Sequence, residues 1–227
     1  IVHGGGKEVT ELAARLGHQS RFIDGQRYTD APMMDIVQMV LAGKTNKDIV
    51  ACINQHDDQA VGLCGVDANL LRVQRYVGNG QDLGFVGEIT EVNTGYLNLL
   101  LDNNIMPVIA PMGVNKEGQM HNVNADVAAS AIAAALHAEK LVYLSDVEGV
   151  LIDGKLVGSM DQKKAEHLIE LRIISDGMIP KIRSAFQALS ANVKKVHLID
   201  GRVKHSILLE IFTDRGIGTE LVHENSG

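Results

Sequence analysis

No tryptophan occurs in the 227 residues, and there are only four phenylalanines and four tyrosines. A core built around large rings is therefore excluded. With apolar residues at 45%, the interior must be assembled from Val, Ile, Leu, Ala and Met, the composition of a buried parallel sheet. The two cysteines, Cys52 and Cys64, form no CxxC and no Cys/His grouping at ligand spacing. That leaves neither a disulfide framework nor a zinc site. No basic run exceeds two residues, and 21 Lys and Arg face 28 Asp and Glu for a formal charge of −7, which argues against a nucleic-acid or anionic-membrane surface. No apolar run reaches the length of a membrane span, and the first residues carry no signal-peptide pattern. A cytoplasmic protein is expected. Ile1 opens inside what reads as a strand, so an N-terminal segment is expected to be absent from this chain.

Against these absences stands one dense stretch, HNVNADVAASAIAAAL at 121–136, a polar elbow leading into a small-residue helix. A strand-length apolar run precedes it (106–111) and another follows (140–145), so strand, helix and strand read as a βαβ unit. Ligands bind where the helices of such units begin. Asn122, Asn124 and Asp126 alternate in the elbow; one of them caps the helix, and ligand contact is the alternative task for the other two. Earlier, HGGG at 3–6 joins a strand to a helix whose apolar residues are Val9, Leu12, Ala13 and Leu16. The glycines serve either as a flexible turn or as a cradle of backbone amides for an anion. The Rossmann spacing GxGxxG is not met.

RFIDGQRYTD at 21–30 reads as a hairpin about Asp24-Gly25. Its Arg27 is either an ordinary surface arginine or a two-pronged carboxylate clamp. Helices follow at 31–41 and 46–56, a glycine-ended strand at 59–65, a polar glycine-rich flap at 72–89 and a helix at 94–103. Beyond the elbow come a polar helix at 161–171, a helix at 178–189, a strand at 195–199, a helix at 205–212 and a closing strand at 216–222. Lys181 falls in the first turn of its helix, where a cation opposes the helix dipole; that local cost puts a phosphate-binding role on an equal footing with a structural one. Alternating strands and helices with glycine turns give an α/β fold, an αβα sandwich with an open, mostly parallel sheet.

Taken together, VHGGG (2–6), DGQRYTD (24–30), NVNAD (122–126), LSDVEGVL (144–151), ISDGMIPK (174–181) and GIGT (216–219) occur in the order and spacing of the amino-acid kinase family. The chain resembles that family over essentially its whole length, most of all the members that phosphorylate the side-chain carboxylate of N-acetyl-L-glutamate, an early step of arginine biosynthesis. The resemblance implies that residues 1–140 hold the acylated amino acid and 141–227 hold ATP, with Mg²⁺. It implies that Gly5 and Gly6 present amides to the acceptor carboxylate or the transferring phosphoryl, that Arg27 pairs with a substrate carboxylate, and that Asn122 holds the acid. Asp126 would organise catalytic lysines and Lys181 would stabilise phosphoryl charge. Asp146, Gly149 and Leu151, with Ser175, Asp176, Gly177 and Met178, would line the nucleotide.

It further implies a homo-oligomer, dimer or hexamer, and an arginine effector site around 205–221, with no nucleic-acid or membrane partner. Three departures from the family pattern stand out. Tyr28 replaces a frequent Val, and Arg27-Tyr28-Thr29 is similar to relatives acting on the longer acetylaminoadipate, which leaves substrate length open. Asp176 stands where many members have Gly. The family's first strand, with its Lys-x-Gly-Gly motif, has no counterpart, so the 227 residues as they stand are expected not to be a competent kinase. The rival readings are an acetylaminoadipate, carbamate or other small-acid kinase, and a non-catalytic amino-acid or nucleotide sensor; a nicotinamide dehydrogenase is disfavoured by the missing GxGxxG.

Overall fold

The computed structural model describes residues 1–23, 25–78, 80–175, 177–212 and 216–223. The chain divides into two compact units, Ile1–Ala128 and Ala129–Gly227.

In the first unit, α1 (Gly6–Arg15) is followed by the short antiparallel pair β1 (Phe22–Ile23) and β2 (Gln26–Arg27), then by α2 (Ala31–Gln38). Asp30 caps α2 by accepting from the Met33 amide, with Pro32 in the first turn, a common helix N-terminal arrangement. The helix does not stop at Leu41 as expected. It widens into a π-helical stretch, Met39–Thr45, and continues directly as α3 (Asn46–Asn54). Next come β3 (Ala60–Cys64), the long antiparallel pair β4 (Leu71–Gly78) and β5 (Gln81–Val92), and α4 (Thr94–Asp102), capped by Asn93.

The strand β6 (Met106–Ala110) pairs in parallel with β3, and Val2 bridges Ile109 on its other side. Two three-residue strands, β7 (Met112–Val114) and β8 (Met120–Asn122), then close a barrel in the order β4-β5-β8-β7. The stretch expected to form a flap is thus half of that barrel. The direct strand–helix–strand crossover is also corrected: β7 and β8 intervene between β6 and α5 (Ala125–Ala135), and runs of three residues are too short to register as periodicity. A core of Val9, Met33, Met34, Ile36, Val37, Val40, Leu41 and Met112 packs α1 and α2 together.

In the second unit, β9 (Lys140–Ser145) leads to the small pair β10 (Leu151–Ile152) and β11 (Lys155–Leu156), then β12 (Ser159–Met160), α6 (Gln162–Glu170), α7 (Met178–Ser190), β13 (Lys195–Asp200), α8 (Ser206–Phe212) and β14 (Thr219–Leu221). The sheet runs β12-β14-β13-β9, with β9–β13 and β12–β14 parallel and β13–β14 antiparallel. Ile182, Ala185, Phe186 and Leu189 of α7 pack with Val196, Leu198, Leu221 and Tyr143. Ala133, with Ala129 and Ala134 beside it, joins the same core. The C-terminal half of α5 therefore belongs to the second unit, and the division falls inside that helix, ahead of the boundary after residue 140 expected from the sequence. The α/β sandwich class with parallel strands holds, and no helix among the described residues is long and apolar enough to cross a membrane.

Candidate active site

The first unit holds a cavity of about 210 Å³ lined by Gly4, Gly5, Gly6, Arg27 and Asn122, with Val9, Phe22, Val37, Leu41, Val86, Val123, Asn124 and Ala125 among its other walls. Four residues singled out in the sequence, Gly5, Gly6, Arg27 and Asn122, are therefore brought to one place by three separate elements. The glycine turn enters from the bridge at Val2 and ends as the start of α1, with Gly5 at the cap position and no side chain capping the helix. Among the described residues no side chain caps the amides of that first turn, the donors that an anion cradle requires. A Cβ at Gly5 would lie 2.5 Å from Leu41 Cδ2, so that side chain would have to shift to admit one.

Arg27 sits on β2 and is buried. Its guanidinium donates through Nη1 to Ser20 Oγ and through Nη2 to the Gly6 carbonyl (2.7 Å) and Thr10 Oγ1 (2.9 Å), and its carbon lies 4.7 Å from the centroid of the Phe22 ring. Burial pulls its pKa below the usual guanidinium value, but arginine keeps its charge in proteins. Three of five N–H donors are engaged among the described residues, both of those on Nη2 included. A carboxylate in the cavity meets a cation held in place by these bonds, with two donors left. Tyr28, next in sequence, has its ring under Arg21 at 4.0 Å and does not line the cavity.

In the elbow, Asn124 is the cap: its Oδ1 accepts from the amides of Asp126 (2.9 Å) and Val127 (3.2 Å). Asn122, at the end of β8, lines the cavity and donates from Nδ2 to Thr29 Oγ1 at 3.2 Å, while Thr29 donates to the Arg27 carbonyl at 2.9 Å. That chain ties the elbow to β2. Asp126 lies in the first turn of α5 and is not a lining residue.

In the second unit, Lys181 lies in the first turn of α7, its Nζ 4.9 Å from the centroid of the Tyr143 ring, a cation–π distance. The Tyr143 hydroxyl is 2.6 Å from Ser130 Oγ, which also donates to the Ser184 carbonyl at 2.8 Å. Asp146 and Gly149 lie in the loop that leaves β9, and Leu151 opens β10 beyond it. Gly149 has φ +140°, and a Cβ there would lie 2.6 Å from Thr219 Oγ1, which itself accepts from the Val150 amide at 2.9 Å. The GIGT motif is thereby accounted for: its threonine braces that loop. Ser175 and Gly177 precede α7, which Met178 opens, and the Met178 amide donates to the Ser175 carbonyl at 3.1 Å; Asp176 lies outside the described residues.

Among the described residues no three His, Cys, Asp or Glu side chains gather as a metal site. The residues that sequence reasoning missed are those that hold the site rather than line it: Thr10, Ser20 and Thr29 around Arg27, and the buried pair His3 and Asn46. Their signal was weak, because a hydroxyl on a helix or in a loop looks the same whether it serves solvent or a buried arginine.

The model of the amino acid kinase family matches residues 1–200. The acetylglutamate kinase of Chlorobaculum tepidum is 50% identical over 224 residues, 99% of this chain and 78% of that protein. That of Aquifex aeolicus is 50% identical over 239 residues, 99% of this chain and 80% of that one. Among solved structures, N-acetylglutamate synthase from Neisseria gonorrhoeae superposes with a TM-score of 0.87 at 29% identity in its complex with coenzyme A and N-acetyl-glutamate, covering 98% of this chain and 51% of that one. Its complex with coenzyme A and L-arginine gives 0.86 at 28%, covering 97% and 52%.

Proposed function

Since the chain belongs to the amino acid kinase family and phosphorylates the side-chain carboxylate of N-acetyl-L-glutamate with ATP, an early step of arginine biosynthesis, we propose that the first unit takes the acid into its cavity and the second takes the nucleotide. One observation carries this reading. A buried arginine stands on the wall of a largely apolar cavity, directly bonded to a glycine turn at a helix start. A dicarboxylate with an acetylated amine is the ligand such a site suits: Arg27 for one carboxylate, the amides of Gly5 and Gly6 for the reacting one, Asn122 for the amide group, and the valines with Leu41 for methylene and methyl.

The acceptor carboxylate is already a nucleophile, so the reaction needs no general base; it needs in-line positioning and charge stabilisation. In our reading Gly5 and Gly6 amides and the Lys181 ammonium supply that stabilisation, and Asp126 orients the cations. Asp146, Gly149, Leu151, Ser175, Asp176, Gly177 and Met178 contact the nucleotide. With no protein metal cluster among the described residues, Mg²⁺ would enter on the nucleotide phosphates, whose oxygens suit it, and would neutralise their charge. Tyr28, facing Arg21, does not set pocket length, which favours acetylglutamate over acetylaminoadipate.

The chain is read further as a cytoplasmic homo-oligomer, dimer or hexamer, with arginine as effector. The exposed apolar residues Leu208, Ile211 and Phe212 on α8 support an assembly surface. Buried Glu210 beside His197 supports a guanidinium site, as does L-arginine in the Neisseria synthase. Trapping the acyl phosphate as a hydroxamate tests the function: ATP with N-acetyl-L-glutamate should give product well above ATP with acetylaminoadipate, and the reverse order would reject the assignment.

A further inference from the structure

We propose that Asn46 is a positioning residue for phosphoryl transfer: its buried side-chain amide locks His3 as the Nδ1–H tautomer, and His3 then holds the Gly4 carbonyl so that the Gly5 amide faces the cavity. The inference rests on the reading of the glycine turn as the acid and phosphoryl site.

Asn46 is the first residue of α3, at the exit of the π-helical stretch, and is 1% exposed. A π-helical turn admits one extra residue and re-aims the side chains that follow, which is why such turns cluster at functional sites. Here the re-aimed side chain enters between two strands. Its Nδ2 lies 2.9 Å from the Val108 carbonyl, 3.4 Å from the Leu63 carbonyl and 3.2 Å from His3 Nε2, while its Oδ1 accepts from Lys47 Nζ at 3.1 Å. These partners decide which way the amide points. Turned over, its oxygen would face two carbonyl oxygens and its nitrogen an ammonium, and those three contacts would all be repulsive. The nitrogen therefore faces the strands, and His3 Nε2 must accept.

With Nε2 an acceptor, the imidazole proton is on Nδ1, 2.8 Å from the Gly4 carbonyl. A trans peptide points its C=O and N–H in opposite directions. Gripping the Gly4 carbonyl therefore aims the Gly5 N–H away from the imidazole, on the turn that lines the cavity. Gly62 makes room for this arrangement, since a Cβ there would lie 1.9 Å from Asn46 Oδ1. Burial also pushes the His3 pKa below its usual value, so the ring stays neutral, as the contact requires.

The test has two arms. Long-range nitrogen–proton correlation spectra of the protein, with the His3 signal identified by its loss in His3→Asn, should show the Nδ1–H tautomer at neutral pH; an Nε2–H tautomer overturns the proposal outright. In the kinetic arm, His3→Asn, whose amide nitrogen falls near the Nδ1 position, should keep most of kcat. His3→Gln and Asn46→Leu should lose about tenfold or more in kcat with KM for ATP little changed, the signature of a misplaced donor. Equal kcat for His3→Asn and His3→Gln rejects the positioning role even where Asn46→Leu fails to fold. Failure of the underlying site assignment would show separately, as an Arg27→Ala enzyme with unaltered KM for N-acetyl-L-glutamate.

Discussion

Arg27 Nη2 donates to the carbonyl of Gly6 across 2.7 Å, so the arginine expected to bind substrate and the glycine turn expected to bind the reacting group are one bonded unit. Replacing Arg27 by Ala should raise the KM for N-acetyl-L-glutamate and also lower stability by about 1–3 kcal/mol, because the Gly6 carbonyl and the Thr10 and Ser20 hydroxyls lose a buried partner. Arg27→Lys should not restore binding, since one ammonium cannot reach all three acceptors in a planar fork. Steady-state kinetics with thermal melts check both; an Arg27→Lys enzyme with wild-type KM would remove the fork from the account.

Lys181→Ala and Asp126→Asn should lower kcat far more than they raise either KM, because their contacts strengthen as charge develops on the phosphoryl. For Lys181 the loss should be about a hundredfold or more. A Lys181→Ala enzyme with unchanged turnover would exclude that residue from the reaction.

Acid should destabilise the fold earlier than its carboxylates alone would. His3, His121 and His197 all have pKa values lowered below 6.5, burial being the largest cause in each. A histidine with a lowered folded pKa binds fewer protons folded than unfolded. Its contribution is therefore complete above the unfolded value and is lost as pH falls below 6.5, by up to about 1.4 kcal/mol per pH unit for each site. Asp82, held below 3.8 mainly by the Gly84 amide, acts only at lower pH. Melts should give a level Tm above about pH 7 and a decline from about pH 6.5 downward; a level Tm to about pH 5 would contradict the buried neutral state.

Glu210 is buried, pairs with His197 Nδ1 and accepts from the Ile217 amide at 2.8 Å; His197 Nε2 has no hydrogen-bond partner among the described residues. Leaving the His197 ring nitrogen and the Ile217 amide without their buried acceptor costs about 1–3 kcal/mol, so Glu210→Ala should lower the Tm, while Glu210→Gln should be milder. If arginine is the effector, both variants should resist millimolar arginine. Activity and oligomer size that ignore arginine in the unmodified protein would end that proposal.

Much of the fold was legible because its signals are local. Gly25 announces its turn through backbone chemistry, and the β1–β2 hairpin stands where that residue places it; α2 and α6 begin near the positions expected, where the structure shows Asp30 and Asp161 as caps. The barrel was not legible: β7 and β8 have three residues each, and their pairing with β4 and β5 is a long-range property. The π-helical stretch was hidden as well, since MVLAGKT carries no residue that demands a wider turn. At the site, Arg27 and Asn122 were legible through their motifs. Asn46 was not, because an asparagine near a helix start looks like a cap; only the fold shows its amide buried between Val108 and His3.

The most direct test of the account is to observe where the acid binds. Backbone amide spectra should be recorded while N-acetyl-L-glutamate is titrated into the protein. The account predicts saturable shifts of the Gly4, Gly5 and Gly6 amides and of the Asn122 side-chain amide, all abolished at the same ligand concentrations in Arg27→Ala. Saturable binding that leaves these signals unmoved and shifts residues outside this cavity would contradict it.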